Sequence, residues 1–392
     1  MNALRTAALG LLASLAPVSA HAAGAFVTGD GSFVGAPTGD GEVASVRALL
    51  FQQGDEVTAV LQTAADSGQN VGGAWILPIP GDILLEPVTA DPALLDELLR
   101  VSDPIYEPIE GCGGSGCGAA VGDTGALAEV RFFDETKASA NWTRFGPGAV
   151  QSAVASLESS GFTVPTGVVD GLYDHAADGG SFVVMWFTGD RVGTASPALV
   201  VRYQATDLVL PQAITAHTAA GEVQTAVLTI TDTATGPEGV ARTTPKLGIP
   251  LYEPNRTPEF YQARVRVALE EAGGDAWVLE YSNQLDTLEP RKHLLVDASI
   301  LWDETSKVPW SGLNALVRKG MLNDFNPSEV WITRWRTFQK AHHLRDQRFI
   351  PDSSVPAYEV YVTADQFGAA AWVWTVPFLL GGWAMRRRRR RD

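Results

Sequence analysis

Nineteen residues from Phe367 to Met385 carry no charge, and six arginines, Arg386 to Arg391, follow directly. A helix of that length spans about 28 Å, close to the ~30 Å hydrocarbon core of a bilayer. This constrains the chain more than any other stretch: it predicts one transmembrane helix over 367–385 and a cytoplasmic tail over 386–392. Trp372, Trp374 and Trp383 lie toward the two ends of the run, where amphipathic rings favour the membrane–water interface. Arg386, Arg387, Arg388, Arg389, Arg390 and Arg391 form a cluster too costly to translocate, which keeps the C-terminus cytoplasmic.

The other end of the chain predicts where the body lies. Arg5 supplies a positive start, Ala7 to Leu15 a short apolar core, and Ala20-His21-Ala22 a small-x-small cleavage site. Together these make a secretory signal over residues 1–22. The expected protein is therefore single-pass, with its body outside the cytoplasm, in the periplasm or at the cell surface.

The body is acidic. Setting aside Arg5, the six tail arginines and Asp392 from 29 basic and 45 acidic residues leaves 22 against 44, a charge near −22. Such a surface repels nucleic acid and anionic lipid, so no nucleic-acid partner is expected. With 45% hydrophobic and 19% charged residues the composition is that of a globular body rather than a disordered one.

The coarse element pattern reads as α+β. Val43 to Gln62 predicts two strands around Gln53-Gly54-Asp55, and Ala74 to Leu77 a buried strand stopped by Pro78 and Pro80. Asp91 and Pro92 start a helix whose Leu94, Leu95, Leu98 and Leu99 share one face. Helices are also expected over Gly148–Ser160, with Val150, Val154 and Leu157 inward, over Val169–Ala176, and from Thr257 to Ala272 before Gly273-Gly274. Further strands are expected at Leu127–Phe133, Ser181–Thr188, Ala198–Tyr203, Val209–Ala216, Val223–Thr231 and Asp275–Ser282. The Thr/Gly/Pro-rich stretch Asp232–Gly248 is the best internal boundary. The expected architecture is thus a β-rich ectodomain in two lobes, 23–235 and 236–360, with a few amphipathic helices. A short echo, GGAWIL at 72–77 and GGDAWVL at 273–279, suits either a weak duplication or a shared strand preference.

The only cysteines, Cys112 and Cys117, flank a glycine-rich loop with four intervening residues. In an exported chain that spacing favours a disulfide, with free thiols as the alternative. No cofactor-binding or metal-binding set is legible. Neither a phosphate loop, a G-x-G-x-x-G turn nor a G-x-S-x-G elbow occurs. Carboxylate pairs at Asp96-Glu97 and Glu270-Glu271 read as solvated helix faces. A catalytic triad assembled from distant positions would draw on His175, His217, His293, His342 or His343. His342 and His343 are adjacent, and adjacent side chains diverge. Val330–Phe349 is locally basic, with Arg334, Arg336, Lys340, Arg345 and Arg348, and reads as a counter-surface for the acidic body. Asn141-Trp142-Thr143 matches a glycosylation sequon. No catalytic residue is nominated.

The order of several blocks resembles the bacterial exported family catalogued as domain of unknown function 2330. Those blocks are Ala74–Gly81, the leucine-rich helix Pro92–Arg100, the glycine/cysteine loop Gly111–Gly118, Gly161–Pro165 with Tyr173 and the Phe182 strand, Glu271–Tyr281, and Thr333–Thr337. The family opens with cysteines after its signal, where this chain has GAFVTGDG. The resemblance implies an exported, often membrane-tethered protein of unassigned activity, and no catalytic residues carry over. The apolar run with Gly381-Gly382 and terminal arginines is also similar to the C-terminal sorting tails that a dedicated protease clips. A permanent anchor is the simpler reading of the same residues. The functional expectation is a non-enzymatic envelope-surface binding or structural module, with an envelope protein or glycan as partner. The alternative is an envelope hydrolase with a catalytic cluster not visible in sequence.

Overall fold

The computed structural model describes residues 25–28, 44–65, 73–91, 93–103, 105–106, 140–187, 194–219, 221–245, 258–288, 302–303, 308–309, 311–359 and 361–362. The chain is mixed α+β and strand-rich, with several sheets. Two of them form the core, and one pattern explains how they stack.

The large sheet has ten strands. Along its main path they run β14 (Ala241–Thr243), β15 (Ala276–Gln284), β18 (Trp331–Lys340), β12 (Glu222–Thr231), β2 (Ala44–Gln53), β3 (Glu56–Ala65), β10 (Leu199–Gln204) and β5 (Val88–Thr89). Off that path, β20 (Tyr358–Glu359) pairs with β15 and β9 (Thr194–Ala195) with β3. β12 runs parallel to β2 and β14 to β15, and the other pairs are antiparallel. The second sheet, in the order β1 (Ala25–Thr28), β4 (Gly73–Ile79), β8 (Ser181–Phe187), β7 (Ala140–Phe145), is antiparallel throughout. Three small sheets complete the set: β11 (Leu208–Leu210) and β13 (Thr235–Pro237) on either side of β19 (Gln347–Pro351), β16 (Trp302–Asp303) with β17 (Val308–Pro309), and β6 (Ile105–Tyr106) with β21 (Tyr361–Val362).

The strands bury both faces, which is why they read as continuous apolar runs. On β2, Leu49 and Phe51 meet α1 (Ala93–Val101) through Leu94, Leu95, Leu98 and Leu99, while Ala48 and Leu50 face the second sheet. On β4 and β8, Trp75, Leu77, Val183 and Met185 fill that inter-sheet layer. Their neighbours Ala74, Ile76, Phe182 and Val184 pack outward on α2 (Val150–Ser159) and α3 (Thr166–Ala177). Tyr261, Val265 and Leu269 of α4 (Pro258–Glu271) cover Val278 and Phe338, and Leu313 and Leu316 of α5 (Ser311–Arg318) join α1. The result is four layers, helix–sheet–sheet–helix.

Most expected elements are present where the pattern puts them. The β2–β3 hairpin closes through Gly54-Asp55, with Gly54 at φ 66°, a conformation glycine adopts without strain. Two elements differ. β4 continues through Pro78 to Ile79, paired there with Phe182 and Ser181 of β8, while β1 accompanies it only as far as Ile76. The strand expected over Val209–Ala216 ends at Leu210. Pro211 follows, and the chain turns into a 3₁₀ segment, Ile214–His217, where the Asp346 carboxylate accepts a hydrogen bond from the Ala213 N–H at 2.9 Å. α2 buries Ala153 more fully than Val154. The strand expected over Leu127–Phe133 lies outside the described residues.

The boundary expected between 235 and 236 does not divide the core. β12 pairs with β18 over ten residues, Glu222↔Lys340 to Thr231↔Trp331, and the inter-sheet layer holds Trp75 beside Trp277 and Trp335. The two Ala-Trp echoes thus lie on different sheets, yet both tryptophans point into one shared layer.

A close approach marks where the chain passes from the second sheet to the large one. A Cβ on Gly81 would lie 1.9 Å from the Gln204 carbonyl oxygen, a backbone atom fixed by β10. Gly81→Ala is expected to lower unfolding stability by about 1–3 kcal/mol through this overpacking, read from urea denaturation. An unchanged midpoint would show that the passage can shift freely.

Candidate functional site

The most unusual chemistry in the described residues is buried charge. On β18, Arg334 and Arg336 point from the same face of the strand, and both are almost fully buried. Between them stands Glu280, with no exposed surface. Arg334 Nε lies 2.6 Å from Glu280 Oε2, and Arg336 Nε lies 2.8 Å from Glu280 Oε1. Backbone irregularity places the carboxylate there. The β15–β18 register shifts between Leu279↔Trp335 and Tyr281↔Arg334, so Glu280 is the extra residue of a β-bulge. A bulge re-aims a side chain that a regular ladder would send elsewhere.

The triad reaches two helices. Arg334 Nη1 lies 2.6 Å from Asp103 Oδ1 and donates to the Leu99 carbonyl at 2.5 Å and to Ser102 Oγ at 3.1 Å. It therefore caps the C-terminal end of α1, where unsatisfied carbonyls favour a cation. From α4, the buried Tyr261 stands close enough to Glu280 for the two to shift each other's titration. Burial pushes the Glu280 carboxyl up, but Arg334 and Arg336 outweigh that and hold it below its ordinary 4.5. Tyr261 is held well above its ordinary value, by burial first and by the Glu280 charge second. The cluster is thus Glu280 ionised, Tyr261 neutral, and two arginines paired.

The same sheet face carries further polar groups. Arg47 on β2 is buried and pairs with Asp96 of α1, and it lies two strands from Arg336, with only Ala226 between them. Gln224, next along β12 on that face, is buried, and its Oε1 accepts no hydrogen bond from the described residues. Glu97, expected on a solvated helix face, is buried instead, 3.7 Å from Arg100. Its neighbour Asp96 stays half-exposed while pairing with Arg47 of the same patch. Glu270 and Glu271 are exposed, as their helix position suggested.

The basic strip 330–349 therefore splits. Arg334 and Arg336 alternate inward on β18, whereas Arg345 and Arg348 are half-exposed and pair with Asp275, at 2.8 Å, and with Asp207 and Glu238. The reading of the whole strip as a surface is corrected for its two central arginines. Period-2 alternation hides them inside while the acidic partners come from elsewhere in the chain. Arg345→Ala and Arg348→Ala are each expected to change stability by only about 0–1 kcal/mol, as for exposed pairs; thermal melts of the two variants would check this.

The histidines fall in separate places. His175, on α3, is buried with Nε2 2.9 Å from the Ile79 carbonyl and 3.2 Å from the Ser181 carbonyl, so that nitrogen carries a proton and offers no basic lone pair. The His217 ring lies over Gly167 and Gly171 of α3. His342 and His343 do not diverge: in a 3₁₀ turn over Ala341–His343 their rings meet edge-on, centroids 4.2 Å apart. Among the described residues no group of three or more His, Cys, Asp or Glu could hold a metal ion. Asn141 is exposed on β7. Cys112, Cys117, His293, Trp372, Trp374, Trp383 and Arg386 to Arg391 lie outside the described residues. Among those described, no helix is long and apolar enough to cross a membrane.

The buried triad was missed in the sequence because its charges looked like surface. A signal was present: Arg334-x-Arg336 inside an otherwise apolar strand, and Glu280 inside another, are positions where charge is costly unless paired. They fall within Thr333–Thr337 and Glu271–Tyr281, two of the blocks that carry the family resemblance, and the leucine-rich helix ends against the same cluster. Comparison with protein-family models, curated proteins and solved structures finds no match to this chain.

Proposed function

We propose that the chain is an exported, membrane-tethered envelope protein related to the family of domain of unknown function 2330. Its folded body acts as a binding or structural module rather than as an enzyme. The signal-like start and the apolar run with its arginine cluster support the address. One observation supports the non-enzymatic part: the charges buried at the centre of the large sheet pair with one another, Arg334 and Arg336 with Glu280, and Arg334 also with Asp103. A charge set closed on itself at the centre of a sheet fixes strands and helices in register, and these four groups serve one another rather than a substrate. The partner is another envelope protein or a glycan, met on the acidic outer surface. A C-terminal sorting protease is a further partner if the tail is clipped.

The address has a direct test. Protease added to intact spheroplasts is expected to digest the body while sparing cytoplasmic markers; full protection would place it on the wrong side. For the non-enzymatic part, a serine-directed activity probe is expected to leave the purified body unlabelled. Stoichiometric labelling of one serine would overturn it.

A further inference from the structure

The end of the described chain is tied down at one edge of the body. β20 adds to β15 at the large sheet's edge, Tyr281↔Glu359 and Ser282↔Tyr358, and the Glu359 carboxylate accepts a hydrogen bond from Asn283 Nδ2 at 2.9 Å. β21 then pairs in parallel with β6, Tyr361↔Ile105 and Val362↔Tyr106. Only residues 363–366 separate β21 from the apolar run at Phe367. Four residues reach at most about 14 Å. The segment leading into this edge carries no charge at neutral pH: Ser353 to Tyr358 holds no Asp, Glu, Lys, Arg or His, and Ser353, Ser354, Pro356 and Ala357 are exposed. On a body near −22, that is the kind of surface that can stand against lipid headgroups without repulsion.

We infer that the β20–β21–β6 edge is the membrane-facing surface of the body, resting against the headgroups of the bilayer that the tail enters. The inference rests on the tethered reading proposed above and adds an orientation to it. A tether of four residues attached to an edge fixed by two strand pairings cannot let the body tumble freely. β10, next to the opposite edge strand β5, lies five strand spacings from β15, about 24 Å away, and α2 lies in the outermost layer on the side of the second sheet.

The test uses the mature full chain with its tail, reconstituted in phosphatidylcholine vesicles containing a small share of headgroup-spin-labelled lipid as quencher. In a Cys112→Ser/Cys117→Ser background, a fluorophore is attached through Ala357→Cys, Thr206→Cys or Ser152→Cys, all three at exposed positions. The expected result is loss of most of the fluorescence at 357 and of little at 206 or 152. Equal quenching at the three sites, or stronger quenching at 206 or 152, would overturn the orientation while protein that still floats with the vesicles keeps the tether. Failure to float with the vesicles would overturn the tethered reading, and the orientation with it.

Discussion

Glu280→Ala is expected to destabilise the body by about 3–5 kcal/mol, the cost of removing the shared carboxylate from a buried charge cluster. Arg334 and Arg336 would remain almost fully buried on β18 with their shared carboxylate gone. Urea unfolding at neutral pH measures the loss. Glu280→Ala/Arg336→Met is expected to recover part of it, because Arg334 keeps Asp103, the Leu99 carbonyl and Ser102 as acceptors. A double variant less stable than Glu280→Ala alone would show that Arg336 is held mainly by other contacts. The same residue sets a pH dependence. Its folded carboxyl titrates below the ordinary 4.5, so its contribution is fully present above that value and is lost as pH falls through the lower, folded one. Glu280→Gln should therefore flatten the acid side of the stability curve, while wild type shows a steeper fall below pH about 4.5.

Trp335→Ala is expected to cost a similar amount, about 3–5 kcal/mol, for a different reason. The indole is almost fully buried in the layer between the two sheets, beside Trp277 and Trp75 in the same cluster. Its Nε1 donates to the Thr235 carbonyl at 2.9 Å, tying β13 to β18. Removal leaves both a cavity and an unsatisfied carbonyl, in a layer where neighbouring hydroxyls and amides are paired: Thr229 Oγ1 meets Thr235 Oγ1 at 2.6 Å, and Gln212 Nε2 donates to Thr225 Oγ1 at 2.6 Å. Trp335→Phe keeps most of the volume and loses the donor, so it should lie between wild type and alanine. Thermal unfolding of the three proteins gives the order, and a phenylalanine variant equal to wild type would show that the hydrogen bond contributes nothing.

How much of this was legible without coordinates depends on the range of the physics involved. Helix starts and stops are local. Asp91 before Pro92 and the glycine pair after Ala272 each act within one turn, and the helices stand over Ala93–Val101 and Pro258–Glu271. The hairpin at Gly54-Asp55 is equally local. The end of β11 at Pro211 shows the limit: Val209 to Ala216 has strand-like residues on both sides, and one missing N–H decided the matter. The division into lobes was not local at all. A Thr/Gly/Pro-rich stretch looks like a linker, but β12 before it and β18 well after it share a ten-residue ladder.

For the candidate site the gap was wider. Sequence alone determined the residue types and their alternation: arginines two apart on an apolar strand, a glutamate on another strand, a leucine-rich helix ending near Asp103. The proposed address likewise rests on the residues of the two ends alone, because length and hydropathy act through the solvent and need no partner segment. Only the tertiary structure decided that Glu280 stands at a bulge, that Arg334 and Arg336 turn inward, and that Asp103 and Tyr261 arrive from two helices to meet them. The reason is that a charge reads as surface until its counter-charge is found, and here the counter-charges lie 54 and 56 residues away for Glu280, and farther for Asp103. Burial of a charge is a property of the pair, and the pairing is made by the fold.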